Sequence, residues 1–125
     1  MVLFRKIMPV LRVKDLTKAI DWYTRLPGFE LCWRSSDDGG GENALLRAGD
    51  TNLMLSTGSH LGDKPAFTGT LYFEVEGVRE LFARIKDHVE IVWPLAAMDY
   101  GTLEFGVRDL DGYGLAFAED TQPVP

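Results

Sequence analysis

The chain has few of the residues on which disulfides and multi-cysteine metal sites depend. Cys32 is the only cysteine among 125 residues, and there are two histidines. A single cysteine excludes an intramolecular disulfide and every metal site that is built on several cysteines. We interpret Cys32 as a small apolar strand residue and not as a nucleophile.

Long apolar runs are also missing. No stretch approaches the roughly 18 consecutive apolar residues that a membrane-spanning helix needs. The N-terminal segment MVLFRKIMPV has neither the apolar core nor the small-residue cleavage site of a secretory signal. The sequence therefore predicts a cytoplasmic protein that has no membrane partner.

Positive charge is outnumbered by negative charge. Thirteen lysines and arginines stand against 19 aspartates and glutamates, which gives a formal net charge of −6. Such a surface repels phosphate backbones and attracts cations. The charge argues against nucleic acid as a partner and permits a cationic ligand.

The spacing of apolar residues predicts one order of elements twice. Helical spacing begins at Asp15, a residue type common at helix N-caps, and again after Gly77. A strand precedes each helix and three strand-like runs follow it, so each half has the order β-α-β-β-β. The runs after the helices are 29–35, 43–48 and 51–57 in the first half, and 89–93, 100–108 and 113–119 in the second.

The two halves align at a constant offset of 62 residues, which places Val13 on Val75, Leu45 on Val107 and Glu42 on Glu104. A repeated order of elements at one offset is typical of an internal duplication. We therefore predict a single domain over residues 1–125. It has a first module at about 6–57, a crossover at 58–68 and a second module at about 69–120.

Strand alternation assigns the faces of the predicted sheets. Leu71 and Phe73 are expected to pack under the helix, which leaves Tyr72 and Glu74 on the opposite face. A curved sheet with helices on one side has a concave second side, where a small ligand binds. By the same parity this concave face also contains Met8, Arg12, Met54, Glu104 and Ala116.

Three stretches resemble the vicinal oxygen chelate superfamily, which includes glyoxalase I, extradiol dioxygenases, fosfomycin resistance enzymes and bleomycin resistance proteins. They are PVLRVKDLTKAIDWYTRLPGFEL (9–31), LYFEVEGVRELFARI (71–85) and YGTLEFGVRDLDGYGLAFAED (100–120). The resemblance implies an α+β fold in which paired β-α-β-β-β modules form curved mixed sheets with helices on the convex face.

Metal-dependent members of this superfamily hold a divalent ion at up to four positions, and the resemblance places these on Met8, Met54, Thr70 and Ala116. None of the four has the imidazole or carboxylate that such an ion needs. We therefore predict that the protein has no metal and no other cofactor. His60 and His88 are interpreted as surface histidines off the concave face.

Glu74 and Glu104 are the carboxylates that fall on the predicted concave face. Two carboxylates there could bind a metal, act as acid and base, or hold a cation. The other interpretation is a pair of solvated charges or charges paired with a residue such as Arg12. No catalytic residue is assigned, and Glu74 and Glu104 are the two candidates.

Within the superfamily, the chain is most similar to the bleomycin resistance branch, whose members are small, acidic, metal-free dimers that sequester a cationic drug. The resemblance implies a homodimeric small-molecule-binding protein that serves in antibiotic resistance. The predicted ligand-binding residues are Met8, Arg12, Trp33, Met54, Tyr72, Glu74, Tyr100, Glu104 and Ala116.

Two alternatives stay open. One is a divalent-metal-dependent or glutamate-based lyase, isomerase or dioxygenase of the same superfamily, in which Glu74 or Glu104 transfers a proton. The other is an interaction module whose groove is filled by its own side chains. This last alternative predicts that the concave face has no open pocket.

Overall fold

The computed structural model of the protein describes residues 1–35 and 41–121. The chain forms two compact units, unit 1 over Met1–Ala66 and unit 2 over Phe67–Pro125. The prediction of one domain over 1–125, with its module boundaries, stays a prediction. In the described part of the chain, neither helix has the length and apolar character needed to cross a membrane.

Unit 1 is a four-stranded mixed sheet with one α-helix. Its strands have the order β1-β4-β3-β2, with β1 parallel to β4 and the other neighbours antiparallel. A short 3₁₀ helix over Ser59–Leu61 follows the sheet. The elements are β1 (Val10–Arg12), α1 (Leu16–Thr24), β2 (Phe29–Ser35), β3 (Asn43–Ala48) and β4 (Thr51–Ser56).

Unit 2 repeats this topology. Its strands have the order β5-β8-β7-β6, and β5 is parallel to β8. The elements are β5 (Thr70–Glu74), α2 (Val78–Ile85), β6 (Glu90–Ala97), β7 (Thr102–Arg108) and β8 (Gly114–Asp120). The predicted α+β fold with two β-α-β-β-β repeats is therefore confirmed.

Each helix covers one face of its own sheet. In unit 1 the helix buries Leu16, Ala19, Ile20 and Tyr23, which recur at helical spacing. In unit 2 a chain of aromatic contacts joins the helix to the sheet. Ring centroids lie 5.0 Å apart between Phe82 and Phe105, and 5.3 Å apart between Phe105 and Phe117. We call the opposite face of each sheet its open face.

The boundaries of β6 differ from the prediction. The strand continues to Ala97, whereas the sequence predicted its end at Trp93. Pro94 lies inside it, and the pairing with β7 is irregular between Trp93 and Ala96. Since β6 is the edge strand of its sheet, the N–H that proline lacks is not needed for a second ladder.

The constant offset of 62 residues is wrong for the inner hairpin strands. Met54 pairs with Leu45, whereas its counterpart Ala116 pairs with Gly106, so β3 and β7 are related by 61 residues. The cause is a difference between the two hairpin loops. In unit 1, residues 49–50 join β3 to β4. In unit 2, the turn after β7 is closed by the hydrogen bond from Asp109 N to Tyr113 O at 2.9 Å and has one more residue between the paired positions.

This extra loop residue changes two alignments of the halves. Glu104 is opposite Ala118, and the corresponding residue of β4, Ser56, is opposite Asn43. The counterpart of Glu104 is therefore Asn43 and not Glu42. Leu45 lies on the open face of unit 1, whereas Val107, on which the sequence alignment placed it, lies opposite Leu115 on the helix-covered face of unit 2.

Candidate functional site

The open face of unit 2 is arranged in rows, because residues paired across neighbouring strands point to the same side of a sheet. One row crosses the sheet through Tyr72, Ala116, Gly106 and Trp93. The next row crosses it through Glu74, Ala118, Glu104 and Ala96. Glu74 and Glu104 therefore both lie on the open face, on either side of a small residue.

Glu104 is the centre of a hydrogen-bond cluster. Its side chain is only 3% exposed. Its Oε1 atom accepts hydrogen bonds from the Tyr72 hydroxyl at 2.8 Å, the Tyr100 hydroxyl at 2.6 Å and the Thr102 hydroxyl at 2.8 Å. A buried carboxylate needs such donors, since burying an ionised group without partners is costly. The cluster thus joins three strands or loops of unit 2 through one oxygen atom.

These contacts set the protonation of the cluster. Burial alone would raise the pKa of the Glu104 carboxyl, but the hydrogen bonds from Tyr100, Thr102 and Tyr72 outweigh it, and the pKa is lowered. The hydrogen bond to Glu104 raises the pKa of Tyr100 to about 12. Burial, followed by the bond to Glu104, raises the pKa of Tyr72. At neutral pH the cluster is one carboxylate that accepts from neutral hydroxyls.

The indole of Trp93 closes one end of the cluster. A Cβ atom built on Gly106 would lie 2.4 Å from Trp93 Cζ3, so the indole occupies the space that any other residue at this position would need. The Trp93 Nε1 atom is buried and makes no hydrogen bond within the described residues. Its N–H is nevertheless close enough to Glu104 to contribute, as the weakest of the four donors, to lowering the pKa of that carboxyl.

Alanines in the middle strand make this arrangement sterically feasible. Ala116 and Ala118 are 1% and 2% exposed although both lie on the open face. Tyr72 pairs with Ala116, and its hydroxyl reaches Glu104 on the far side of β8. A larger side chain in the middle of β8 would stand in that path.

A concavity of about 630 Å³ lies next to the cluster, and its lining residues within the described ranges belong to unit 2. The side chains of Tyr72 and Tyr100 form part of its wall and are 51% and 65% exposed. Among the described residues that line it, none is a lysine or arginine. Its four carboxylates belong to Glu74, Glu76, Glu119 and Asp120.

The remaining predicted ligand-binding residues lie in unit 1. Met54 and Trp33 share one row of its open face, which runs through Val10, Met54, Leu45 and Trp33. Met8 precedes β1 and is exposed. Arg12 donates from Nε to the Gly62 carbonyl at 3.0 Å and from Nη1 to its neighbour's carbonyl at 3.0 Å. The prediction that these four residues contact a ligand stays a prediction.

The four positions at which the resemblance implies metal ligands do not fit a divalent ion. Two are thioethers, one is the hydroxyl of Thr70, and Ala116 offers only a buried methyl group. Within 1–35 and 41–121, no three histidine, cysteine, aspartate or glutamate side chains are grouped as a metal site requires. His60 and His88 are exposed and outside the strands. We therefore derive no chemistry through a metal.

The sequence interpretation missed several residues of this site. Thr102 lies two residues before Glu104 on the same strand, so parity could have placed both on one face. Glu119 and Asp120 end β8 and line the concavity, and both were visible as a pair of acids. The contact between Gly106 and Trp93 has no local sequence signal, because it depends on the register between β6 and β7.

Comparison with solved structures identifies similar folds. TioX from Micromonospora sp. ML1 is 26% identical, with a TM-score of 0.72 and coverage of 97% of this chain and 100% of that one. The bleomycin resistance determinant encoded on the transposon Tn5 is 20% identical, with a TM-score of 0.74 and coverage of 95% and 100%. A glyoxalase I variant from Zea mays is 24% identical, with a TM-score of 0.77 and coverage of 94% and 48%.

Sequence comparison gives the family. A search of curated proteins found no match to the sequence. The sequence profile of the family described as Glyoxalase/Bleomycin resistance protein/Dioxygenase superfamily matches residues 6–117, which is most of the chain and extends from before β1 into β8. The protein therefore belongs to the glyoxalase/bleomycin resistance protein/dioxygenase superfamily.

Proposed function

We propose that this protein is a metal-free small-molecule-binding protein of the glyoxalase/bleomycin resistance type, and that it holds a cationic ligand in the concavity of unit 2. The observation that carries the proposal is the lining of this concavity, which has four carboxylates, two tyrosines and no lysine or arginine among the described residues. Aromatic rings and carboxylates together attract an organic cation.

The described residues that line the concavity contribute negative charge and no side-chain cation. The ion pairs Arg34–Glu42, Arg84–Glu80 and Arg108–Glu90 involve none of the residues that line it. Glu119 is engaged by backbone N–H groups, whereas Glu74 and Glu76 at the rim form none of these pairs. A bound cation would relieve the repulsion between these carboxylates.

The enzymatic alternative has less support at Glu104. A carboxylate that acts as a general base near neutral pH works best when its pKa is raised. The three hydroxyl donors lower the pKa of Glu104 and occupy its Oε1 atom. The alternative in which a groove is filled by its own side chains predicts no open pocket, and the 630 Å³ concavity argues against it.

Calorimetric titration of the purified protein with bleomycin tests the proposal. We expect saturable binding that weakens as salt is added, because salt screens the attraction between the rim carboxylates and the cation. Glu74→Gln should weaken binding by up to about fivefold, since one exposed charge contributes about 0.2–1 kcal/mol. Glu80→Gln is the matched control, because Glu80 is exposed on α2 and does not line the concavity.

Two results would contradict the proposal. One is the lack of binding by any organic cation. The other is tight, stoichiometric uptake of a divalent metal together with turnover of a glutathione hemithioacetal, which would favour the enzymatic alternative. The predicted homodimer, the cytoplasmic location and the role in antibiotic resistance stay predictions from the sequence.

A further inference from the structure

The hydroxyl groups in the wall of the concavity have a fixed donor direction. Tyr72, Tyr100 and Thr102 line it, and each donates its only hydroxyl proton to Glu104 Oε1. An ionised carboxylate can only accept hydrogen bonds, so the three protons point at Glu104. What these hydroxyls present to a ligand is therefore their oxygen lone pairs.

The other polar side chains of the wall are acceptors as well. They are the carboxylates of Glu74, Glu76, Glu119 and Asp120, and a carboxylate only accepts hydrogen bonds. Glu119 accepts the N–H groups of Gly77 and Val78 at 3.1 and 3.0 Å, so it uses donors of the protein and offers none. Every polar side chain among the described lining residues is therefore an acceptor toward the concavity.

We propose that this wall selects cations that donate several hydrogen bonds, namely primary ammonium, amidinium or guanidinium groups, over quaternary ammonium groups of equal charge. Glu104 is a positioning residue in this proposal, because it holds the three hydroxyl protons away from the ligand. It does not itself need to contact the ligand. The inference rests on the proposed function and specifies the chemical class of its ligand.

The alternative basis for cation recognition is the face of the aromatic rings. Cation–π attraction acts on ammonium and quaternary ammonium groups alike and does not require an N–H. Hydrogen bonds from N–H groups to charged acceptors are stronger than hydrogen bonds between neutral groups. They form with primary ammonium groups and not with quaternary ammonium groups, which have no N–H. The ratio of the two affinities therefore separates the two modes of recognition.

The experiment compares 2-phenylethylammonium with its N,N,N-trimethyl derivative, which has the same ring, chain and charge but no N–H. Titrations of the full ¹⁵N-labelled chain are followed by the backbone amides of Ala118 and Glu119, which are in the wall. We expect the primary ammonium to bind about tenfold more tightly. Equal affinities would overturn the inference and leave the proposed function intact. Absence of binding by both would overturn the inference, and the bleomycin titration would then decide the proposed function separately.

Variants separate the positioning role of Glu104 from a structural one. A neutral amide oxygen is a weaker acceptor than a carboxylate oxygen, so Glu104→Gln should hold the three hydroxyl protons less firmly and let them turn toward the concavity. The affinity ratio should then fall toward one, whereas Glu80→Gln should leave it unchanged. An unchanged ratio in folded Glu104→Gln would overturn the inference.

Thr102→Val gives a second test that keeps the carboxylate. It removes one wall acceptor and one donor to Glu104 while Tyr72 and Tyr100 still hold the charge. We expect a reduction of the affinity ratio by a factor of about two to three, as one weak hydrogen bond is lost. A ratio equal to that of the unmodified protein would contradict the acceptor-wall account even if Glu104→Gln does not fold.

Discussion

The open faces of the two units have the same strand order and different chemistry. The row Val10, Met54, Leu45 and Trp33 of unit 1 corresponds to the row Tyr72, Ala116, Gly106 and Trp93 of unit 2. Unit 1 has Met54 and Leu45 in the two middle strands, whereas unit 2 has its smallest residues there, and both rows have a tryptophan at one edge. The space above the middle strands of unit 2 allows Tyr72 and Trp93 to lie across the sheet.

The next row differs in charge. Arg12 and Asn43 of unit 1 correspond to Glu74 and Glu104 of unit 2. A groove of about 440 Å³ beside α1 in unit 1 is lined by residues of both signs, including Arg34 and Glu42, which form an ion pair of 3.1 Å. The concavity of unit 2 has no such balance among its described residues. The groove of unit 1 is therefore lined by charges of both signs, whereas the charged side chains among the described lining residues of the unit 2 concavity are all carboxylates.

The largest effect is expected when position 106 of unit 2 is given the leucine that unit 1 has at the corresponding position, Leu45. In Gly106→Leu the first side-chain carbon alone would lie 2.4 Å from the Trp93 ring, so the indole must leave its place. Overpacking of this kind costs about 1–3 kcal/mol, and loss of the indole contacts adds to it. We expect a lower urea midpoint and an increase in the solvent exposure of tryptophan fluorescence.

A double-mutant cycle provides the control. Gly106→Ala and Trp93→Leu should each destabilise the protein, and their combination should cost less than the sum, because the smaller side chain leaves room for the added methyl group. Additive free energies of unfolding would show that the indole is not packed on position 106. Leu45→Val in unit 1 serves as a reference for a conservative change in the corresponding row.

The second prediction concerns the charge difference between Glu104 and Asn43. The pKa of Glu104 is lowered from its ordinary value of 4.5, so its ionised form stabilises the folded state above that value. This contribution is lost as the pH falls below 4.5 and through the lower folded pKa. Glu104→Gln should therefore be about 1–3 kcal/mol less stable at neutral pH and lose less stability on acidification.

Urea unfolding as a function of pH measures this difference, with Glu90→Gln as the exposed control. The same variant gives a second readout at high pH. Tyr100 is 65% exposed, yet its hydrogen bond to Glu104 raises its pKa to about 12. In Glu104→Gln the tyrosine should titrate closer to its ordinary value of 10. The titration is followed by NMR of labelled tyrosine. If the pKa of Tyr100 were the same in the variant, the Glu104 carboxylate would not be hydrogen-bonded to this phenol.

The fold was predictable from the sequence because it depends on local periodicity. The bounds of β2 and β3 agree with the prediction, and the parity that placed Tyr72, Glu74 and Glu104 on one face agrees with the strand pairing. The site was less predictable, because it depends on contacts across strands. One additional residue in the turn after β7 shifts the register of β7 on β8 and makes Asn43 the counterpart of Glu104, while the separate pairing of β6 with β7 places Trp93 opposite Gly106.

The smallest predicted effect comes from the different caps of the two helices. Asp15 Oδ1 accepts from Lys18 N at 3.0 Å and caps α1 locally, whereas Gly77 has no side chain and α2 is capped by Glu119 from β8. Asp15→Ala and Glu119→Ala should each cost about 1 kcal/mol, the usual value for a lost cap. The free energy of unfolding in urea measures both, with the exposed Glu30→Ala as the reference.

The two substitutions should nevertheless differ in where the structure loosens. Asp15 belongs to the turn it caps, so its loss should speed hydrogen exchange in the first turn of α1 alone. Glu119 belongs to β8 and joins that strand to α2, so its loss should speed exchange at Val78 and also in the last residues of β8. Glu119→Gln, which keeps an acceptor oxygen, should retain most of the protection. Equal, purely local effects of both alanine variants would mean that the carboxylate of Glu119 does not couple the strand to the helix.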